Sequence, residues 1–438
     1  MRRIVSFVKK HTVIIILISI SILFPQSFSY QSKLNMRVIV TAIGVDKTDD
    51  EYEVTLQIVM PKSSAEQSGG TASLGFISEK GKSVSEGIQK VAYKIGKTAG
   101  LSHVSTLIVG KSMLDGNLAK ELDFFVRNTE LNSVVMLLIS PKSAKEMITQ
   151  TKSLEINEAI RLQKVFVYKQ SSLNGLMMPI EEFINNSLCL SASSAASGIL
   201  ITNEGEEELG KNTDATLELQ KGEQSSTNSG DSNQSGQKGS GSEQQSKTQT
   251  ESTQKGRIKY YNDVYYFKNG KYINKFDKEE EIIGYYLTNK APNSGDITAE
   301  NINGDYLKNA KISFKFRKQE TKTDIIFENF LPKLIFNVSF TDVKIKEILN
   351  GGEIAPAIYE FQAESSNTNI KKAISQRVEE CVKMAFDKAK KDGVDVFQFA
   401  NMAYQHKPKE WKKYYDEYGE AYLKNVEIEV NVNINNFN

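Results

Sequence analysis

Apolar and polar residues alternate along much of this chain, and the period of alternation separates strands from helices. Val54, Leu56 and Ile58 alternate with Thr55 and Gln57, the pattern of a half-buried strand. The run Val38 to Val45 predicts a second strand, joined to the first by the polar turn Asp46-Lys47-Thr48-Asp49-Asp50. A helix follows, with Ser83 and Glu86 as a capping box and Val84, Ile88, Val91 and Ile95 on one face. Next come a strand at 104–109, a helix near 117–127 and a strand at 134–139. Ser140-Pro141 then predicts the N-cap and first residue of another helix. The order β-β-α-β-α-β-α over residues 37–150 predicts an α/β unit, a sheet with helices packed on it.

The last unit, residues 307–438, has a different layout. Ile312, Phe314 and Phe316 alternate with Ser313, Lys315 and Arg317, and Leu334, Phe336, Val338 and Phe340 do the same. A helix over 369–391 carries Ile370, Ile374, Val378, Cys381 and Ala385, with Gly393 as its C′ residue. Val426, Ile428, Val430, Val432 and Ile434 close the chain as a strand with one wet face. These features predict an α+β unit with an antiparallel sheet. Between the two, residues 155–300 form a middle unit interrupted at 211–256. That insert is Ser, Gly, Gln, Thr, Asn and Lys almost without apolar residues, so it cannot offset its ordering entropy. Tyr260, Tyr261, Tyr265, Tyr266 and Phe267 suggest strands here, and Ile282 to Leu287 a helix. The predicted architecture is a three-domain exported protein of α/β and α+β units, with mixed sheets and packed helices.

Export is read from residues 1–30. Arg2, Arg3, Lys9 and Lys10 precede an apolar run from Val13 to Phe24 that Pro25 breaks. The run is shorter than the roughly 20 residues that span a bilayer comfortably. Basic residues ahead of it leave the N-terminus inside and the rest of the chain outside. Ser27 and Ser29 supply small residues at −3 and −1 of a cleavage site, so a cleaved signal peptide and a retained signal anchor both stay open.

Composition removes several function classes. The chain has 55 basic and 54 acidic side chains, a net charge of +1, so no global field draws it to nucleic acid. Its two cysteines, Cys189 and Cys381, lie in apolar contexts far from metal-ligand spacing, which predicts buried free thiols. His11 belongs to the export segment. His103 follows a turn and His406 sits in the turn before Pro408, neither beside a ligand or an orienting carboxylate in sequence. Asp46, Asp49, Asp50 and Glu51 lack the glycine and closing glutamate of a calcium loop and read as a solvated hairpin turn. No phosphate loop and no nucleophile elbow occurs. Trp411 with Tyr414, Tyr415 and Tyr418 forms a stripe at helical spacing that reads as core. Nothing argues for catalysis or for a cofactor.

Several stretches together resemble the C subunits of spore germinant receptors, the GerAC-like or Ger(x)C family. Thr41-Ala42-Ile43-Gly44-Val45-Asp46 is similar to the family's first-strand motif, and Gly81-Lys82-Ser83 to the helix opening that follows. Leu101-Ser102-His103-Val104 with Leu107-Ile108-Val109-Gly110, and Leu122 to Asn128 with its Arg127, resemble the next two motifs. Asp395-Val396-Phe397-Gln398-Phe399 and Lys407-Pro408-Lys409-Glu410-Trp411 resemble the closing elements. The resemblance covers residues 37 to the end, apart from the insert. It implies a non-catalytic subunit at the outer face of the inner spore membrane, working beside membrane-bound A and B subunits in response to small nutrients. Gly44, Asp46, His103, Arg127 and Trp411 are motif positions to which it assigns no role. Members usually carry an acylated cysteine after the apolar run; here the first cysteine is Cys189, so lipid attachment by that route is excluded. The alternative is an exported envelope protein that binds a small ligand in an α/β cleft. An envelope hydrolase would require His103 or His406 to meet a carboxylate and a nucleophile in the fold.

Overall fold

A computed structural model describes residues 36–60, 73–132, 134–150, 178–200, 263–289, 294–304, 307–350 and 364–437. The export segment and the insert at 211–256 lie outside these residues, as do Tyr260 and Tyr261. Among the described residues no helix is long and apolar enough to cross a membrane.

The first sheet starts as an antiparallel meander of β1 (Arg37–Thr48), β2 (Glu51–Met60) and β3 (Ser73–Gly81). Helix α1 (Val84–Ile95) starts where the sequence places it. Ser83 Oγ accepts the Glu86 N–H at 3.1 Å, and the Glu86 carboxylate accepts from Lys82 N rather than from Ser83 N. The chain then runs parallel to β1 twice, in β4 (Thr98–Gly100) and β5 (Thr106–Val109). The single helix expected near 117–127 is two short ones, α2 (Leu118–Glu121) and α3 (Asp123–Arg127), before β6 (Met136–Ile139). β3 and β4 have no counterpart in the sequence reading. Their glycines, serines and charged residues dilute the alternation that marks β2.

Helix α4 (Ala144–Gln150) begins later than Ser140-Pro141 suggests. Ser140 is still held by the sheet, its N–H on the Val109 carbonyl at 2.8 Å, and its hydroxyl accepts from Lys142 N to form a turn. After α5 (Ile180–Leu188), strands β7 (Ser193–Gly198), β8 (Val264–Lys268) and β9 (Lys271–Phe276) extend the same sheet. Its order is β3-β2-β1-β5-β6-β7-β8-β9, with β4 beside β1. Strands from the expected first and middle units thus share one hydrogen-bonded sheet.

Helices cover both faces of this sheet, so β5 (TLIV) and β6 (MLLI) are buried at every position. Ser187 of α5 bonds Ser194 at 2.9 Å, and Phe183 meets Phe267 edge-on at 5.0 Å. Ser194 and Phe267 are direct partners across β7 and β8, so α5 lies on their face. α4 packs on the opposite face with Ala42, Ile108 and Leu138.

The second sheet follows α6 (Glu279–Asn289) and comprises β10 (Gly295–Gly304), β11 (Leu307–Phe316), β12 (Lys318–Glu328) and β13 (Leu331–Asn350). These four strands are antiparallel, with β11 and β12 pairing successive stretches of β13. Ile312, Phe314, Phe316, Leu334, Phe336, Val338 and Phe340 form its buried rows as the alternation predicts. Each side chain contributes about 1.5–3 kcal/mol by leaving water. Helix α7 (Glu364–Lys391) lays Ile370, Ile374, Val378 and Cys381 over them and ends at Gly393, whose φ of +68° suits a residue without Cβ. α6 crosses α7 so closely that a Cβ on Gly284 would sit 2.1 Å from the Cys381 carbonyl oxygen. Helices α8 (Phe399–His406) and α9 (Pro408–Tyr418) follow, and β14 (Glu427–Phe437) closes the chain. β14 runs parallel to β13, so the antiparallel sheet gains one parallel pair. The long helical passage from β13 back to its starting end makes that direction available.

Candidate functional site

The motif positions separate into an assembled group and scattered ones. Asp46 is 5% exposed at the end of β1 and turns inward, instead of belonging to a solvated loop with Asp49 and Asp50. Its Oδ1 accepts the Ala144 N–H at 2.8 Å. Its Oδ2 accepts from Lys145 N at 2.9 Å and from the Ser143 hydroxyl at 2.8 Å. The carboxylate therefore caps α4 from a strand almost a hundred residues away and fixes that helix on the sheet. Two glycines make room for it. A Cβ on Gly110 would overlap Asp46 Oδ1, and one on Gly44 would stand 3.3 Å from the Ala144 carbonyl oxygen.

Trp411 is buried on α9, edge-on to Phe399 at 5.8 Å and to Tyr422 at 5.3 Å. Of the expected core stripe Trp411 and Tyr414 are buried, whereas Tyr418 is half-buried and Tyr415 is exposed on the turn of the helix that faces water. Arg127 is exposed at the end of α3, with Nε 2.7 and 2.8 Å from the two oxygens of Asp123 one turn earlier. His103 is exposed in the turn between β4 and β5, which the Val104 N–H closes onto the Leu101 carbonyl. His406 is exposed at the end of α8. Among the described residues neither histidine side chain has a hydrogen bond or an ion pair. The fold brings Gly44 and Asp46 together and keeps His103, Arg127 and Trp411 apart from them.

Sequence reasoning missed the polar seam where the second half of the chain meets β7–β9. Gln398, at φ +60°, donates through Nε2 to the Ser193 carbonyl at 2.7 Å, and its Oε1 accepts the Ser191 hydroxyl at 2.6 Å. Asn401 donates to Cys189 Sγ at 2.9 Å and accepts Ser191 N at 3.2 Å. Cys189 is thus half-buried within this network rather than in an apolar core, while Cys381 is buried; both are free thiols. Burial pushes the Cys381 thiol up to about 12, which keeps it protonated and inert. Tyr266 points to the same face, opposite Ala195, and donates to Asp392 at 2.5 Å; Lys268 donates to the Gly393 carbonyl at 2.9 Å.

At the centre of the seam lies Asp395, 2% exposed. It accepts the Phe399 and Ala400 N–H groups at 2.8 Å each and the Tyr422 hydroxyl at 3.1 Å, while its own N–H donates to Ser193 Oγ. Burial pushes its carboxyl up to about 6, against these three donors, which favour the charged form. Asp395 was legible as part of a closing motif. Gln398 and the serines were not, because their meeting spans about two hundred residues. The seam is a joint: Tyr266, Lys268, Gln398, Asn401 and the Asp395 N–H donate across it, while the Asp395 carboxylate caps α8 locally. Among the described residues no three His, Cys, Asp or Glu side chains converge as a metal site.

Comparison with known proteins identifies the scaffold. Residues 30–189 match the spore germination protein N-terminal domain, and residues 262–436 match the spore germination B3/GerAC-like C-terminal domain. Spore germination protein KC of Bacillus subtilis (strain 168) is 22% identical over 411 residues, covering 90% of this chain and 87% of that protein. The putative spore germination protein YfkR of the same organism is 24% identical over 131 residues, 28% of this chain and 34% of its own length. The crystal structure of the GerBC protein aligns over 90% of this chain and 96% of its own, at 14% identity and a TM-score of 0.47. With both family domains matched in order along one chain, and a relative similar over nearly its full length, this protein belongs to the GerAC-like family of spore germination proteins.

Proposed function

We propose that this chain is the non-catalytic C subunit of a nutrient germinant receptor, acting at the outer face of the inner spore membrane beside membrane-bound A and B subunits. The observation that carries this reading is the ordered match to both halves of the family, including a germination protein matched over 87% of its length. The use made of the motif residues supports it. Asp46 and Gly44 fix a helix, Trp411 fills a core, and Asp395 caps α8 and ties it to β7 of the first sheet. These are the roles of a scaffold that presents surfaces. The basic and apolar residues 1–24 would carry the chain across the membrane and either hold it there or leave retention to its partners.

Deletion of the gene tests the reading directly. Spores lacking it are expected to lose the response to at least one nutrient while still germinating with chemical triggers that bypass receptors. Unchanged germination with every nutrient overturns the proposal. Determining the mature N-terminus in a membrane fraction separates a chain that starts at Tyr30 from an uncleaved anchor.

A further inference from the structure

Two hairpins in this molecule are built on the same two-residue turn, and only one has the residue that the turn favours. Between β8 and β9, Lys268 pairs with Lys271 and the turn is Asn269-Gly270, at φ +52° and +74°. Between β12 and β13, Glu328 pairs with Leu331 and the turn is Asn329-Phe330, at φ +49° and +72°. Both have the two positive φ values of the primed turn, which matches strand twist and strongly favours glycine in second place. Phe330 accepts a conformation that is strained for an aromatic residue. It gains no burial in return, since it is 58% exposed, with Leu331 beside it 42% exposed.

The surroundings indicate what would cover it. Pairing of Ile325 with Leu334 and of Phe327 with Pro332 puts those residues on the helix-covered face. Leu331, Ile326 and Ile335 therefore project to the other face, which no described helix covers. They continue the apolar tip along the sheet. The rim is acidic: Glu328 lies opposite Leu331 and Glu427 lies beside Lys333, both exposed, while Lys333 is tied to Glu429 at 2.6 Å. Carboxylates here repel anionic lipid and attract a cationic protein surface. We propose that the Phe330-Leu331 tip is a docking surface for a protein partner that offers an apolar pocket with a basic rim. The partner is assigned to the membrane subunits, which rests on the receptor reading above.

Replacing Phe330 by glycine makes the second hairpin like the first, so the variant relieves strain instead of risking the fold. The full-length chain carrying Phe330→Gly is expected to melt at or above the wild-type temperature. Its cross-linked recovery with co-expressed A and B subunits is expected to fall at least ten-fold, with nutrient germination falling in step. Phe330→Tyr should retain both. Wild-type recovery by Phe330→Gly overturns the docking surface. So does binding of the wild-type chain to phosphatidylglycerol vesicles that Phe330→Gly abolishes, since lipid would then be the occupant. Gene deletion in the same strain keeps the two ideas separate: a silent deletion defeats the receptor reading, whereas the recovery comparison judges the tip on its own.

Discussion

Two buried aspartates do the same work at opposite places in this molecule. Asp46 accepts two successive backbone N–H groups and the Ser143 hydroxyl; Asp395 accepts two successive N–H groups and the Tyr422 hydroxyl. Each satisfies the start of a helix that would otherwise bury unpaired donors. They differ in reach. Asp46 acts across 98 residues, from a strand of the first sheet to the helix that covers it. Asp395 caps a helix starting four residues later and adds its own N–H to Ser193 of β7. The first is a tether that assembles one layer on another. The second is a local cap placed in a joint, and the joint gives it its burial.

The sharpest way to break this comparison is to remove the tether. Asp46→Ala leaves two buried N–H groups and a hydroxyl without an acceptor, at a cost on the order of 3–4 kcal/mol of unfolding free energy. Chemical denaturation measures the loss, and amide exchange at residues 144–150 should rise before the rest of the sheet opens. Asp46→Asn keeps an acceptor but turns an amide toward a donor, so it should fall between the wild type and Asp46→Ala. If both variants unfold with the wild type, the carboxylate is incidental to the layer.

That contrast also explains what the sequence made legible. Elements whose pattern is self-contained were readable: the alternation of β13, the period of α1, and the Gly393 stop of α7. Each is decided within a few residues by pleat or helical turn. Pairing was less readable. TLIV and MLLI are apolar at every position because both their faces are covered, so they carry no signal of neighbour or direction. Nor could alternation alone show that β14 runs parallel to β13, because the same buried face serves either direction. Asp46 stood out in the sequence, but beside Asp49 and Asp50 it suggested a solvated turn; only the arrival of α4 gives it an inward partner. Phe330 was silent, since the strain of a phenylalanine is visible only once the turn is known.

The pH dependence of folding tests the joint. Asp395 has a folded value of about 6 against an ordinary carboxyl near 3.8, so the folded chain holds its proton more tightly than the unfolded one. Stability from this group is then fully present below about 4 and is lost as pH rises through 6. The expected loss is on the order of 2 kcal/mol. Unfolding curves for the wild type and Asp395→Asn, taken at pH 4, 5, 6 and 7, should diverge by that amount, because the amide does not titrate. Parallel curves would show that the three donors balance burial and that Asp395 resembles a solvated carboxyl.

A third cap supplies the baseline for both aspartates. Ser83 accepts the Glu86 N–H at 3.1 Å at the start of α1, on the surface and with water at hand. Loss of its hydroxyl exposes a donor that solvent can satisfy, so Ser83→Ala should lower stability by about 1 kcal/mol, with no change in pH profile. The ratio matters more than the value. If Asp46→Ala costs several times as much as Ser83→Ala, the excess measures what burial and long reach add to a capping bond. If the two losses are equal, α4 is held by Ala144, Met147 and Ile148 packing on the sheet, and the aspartate serves only to finish a helix end.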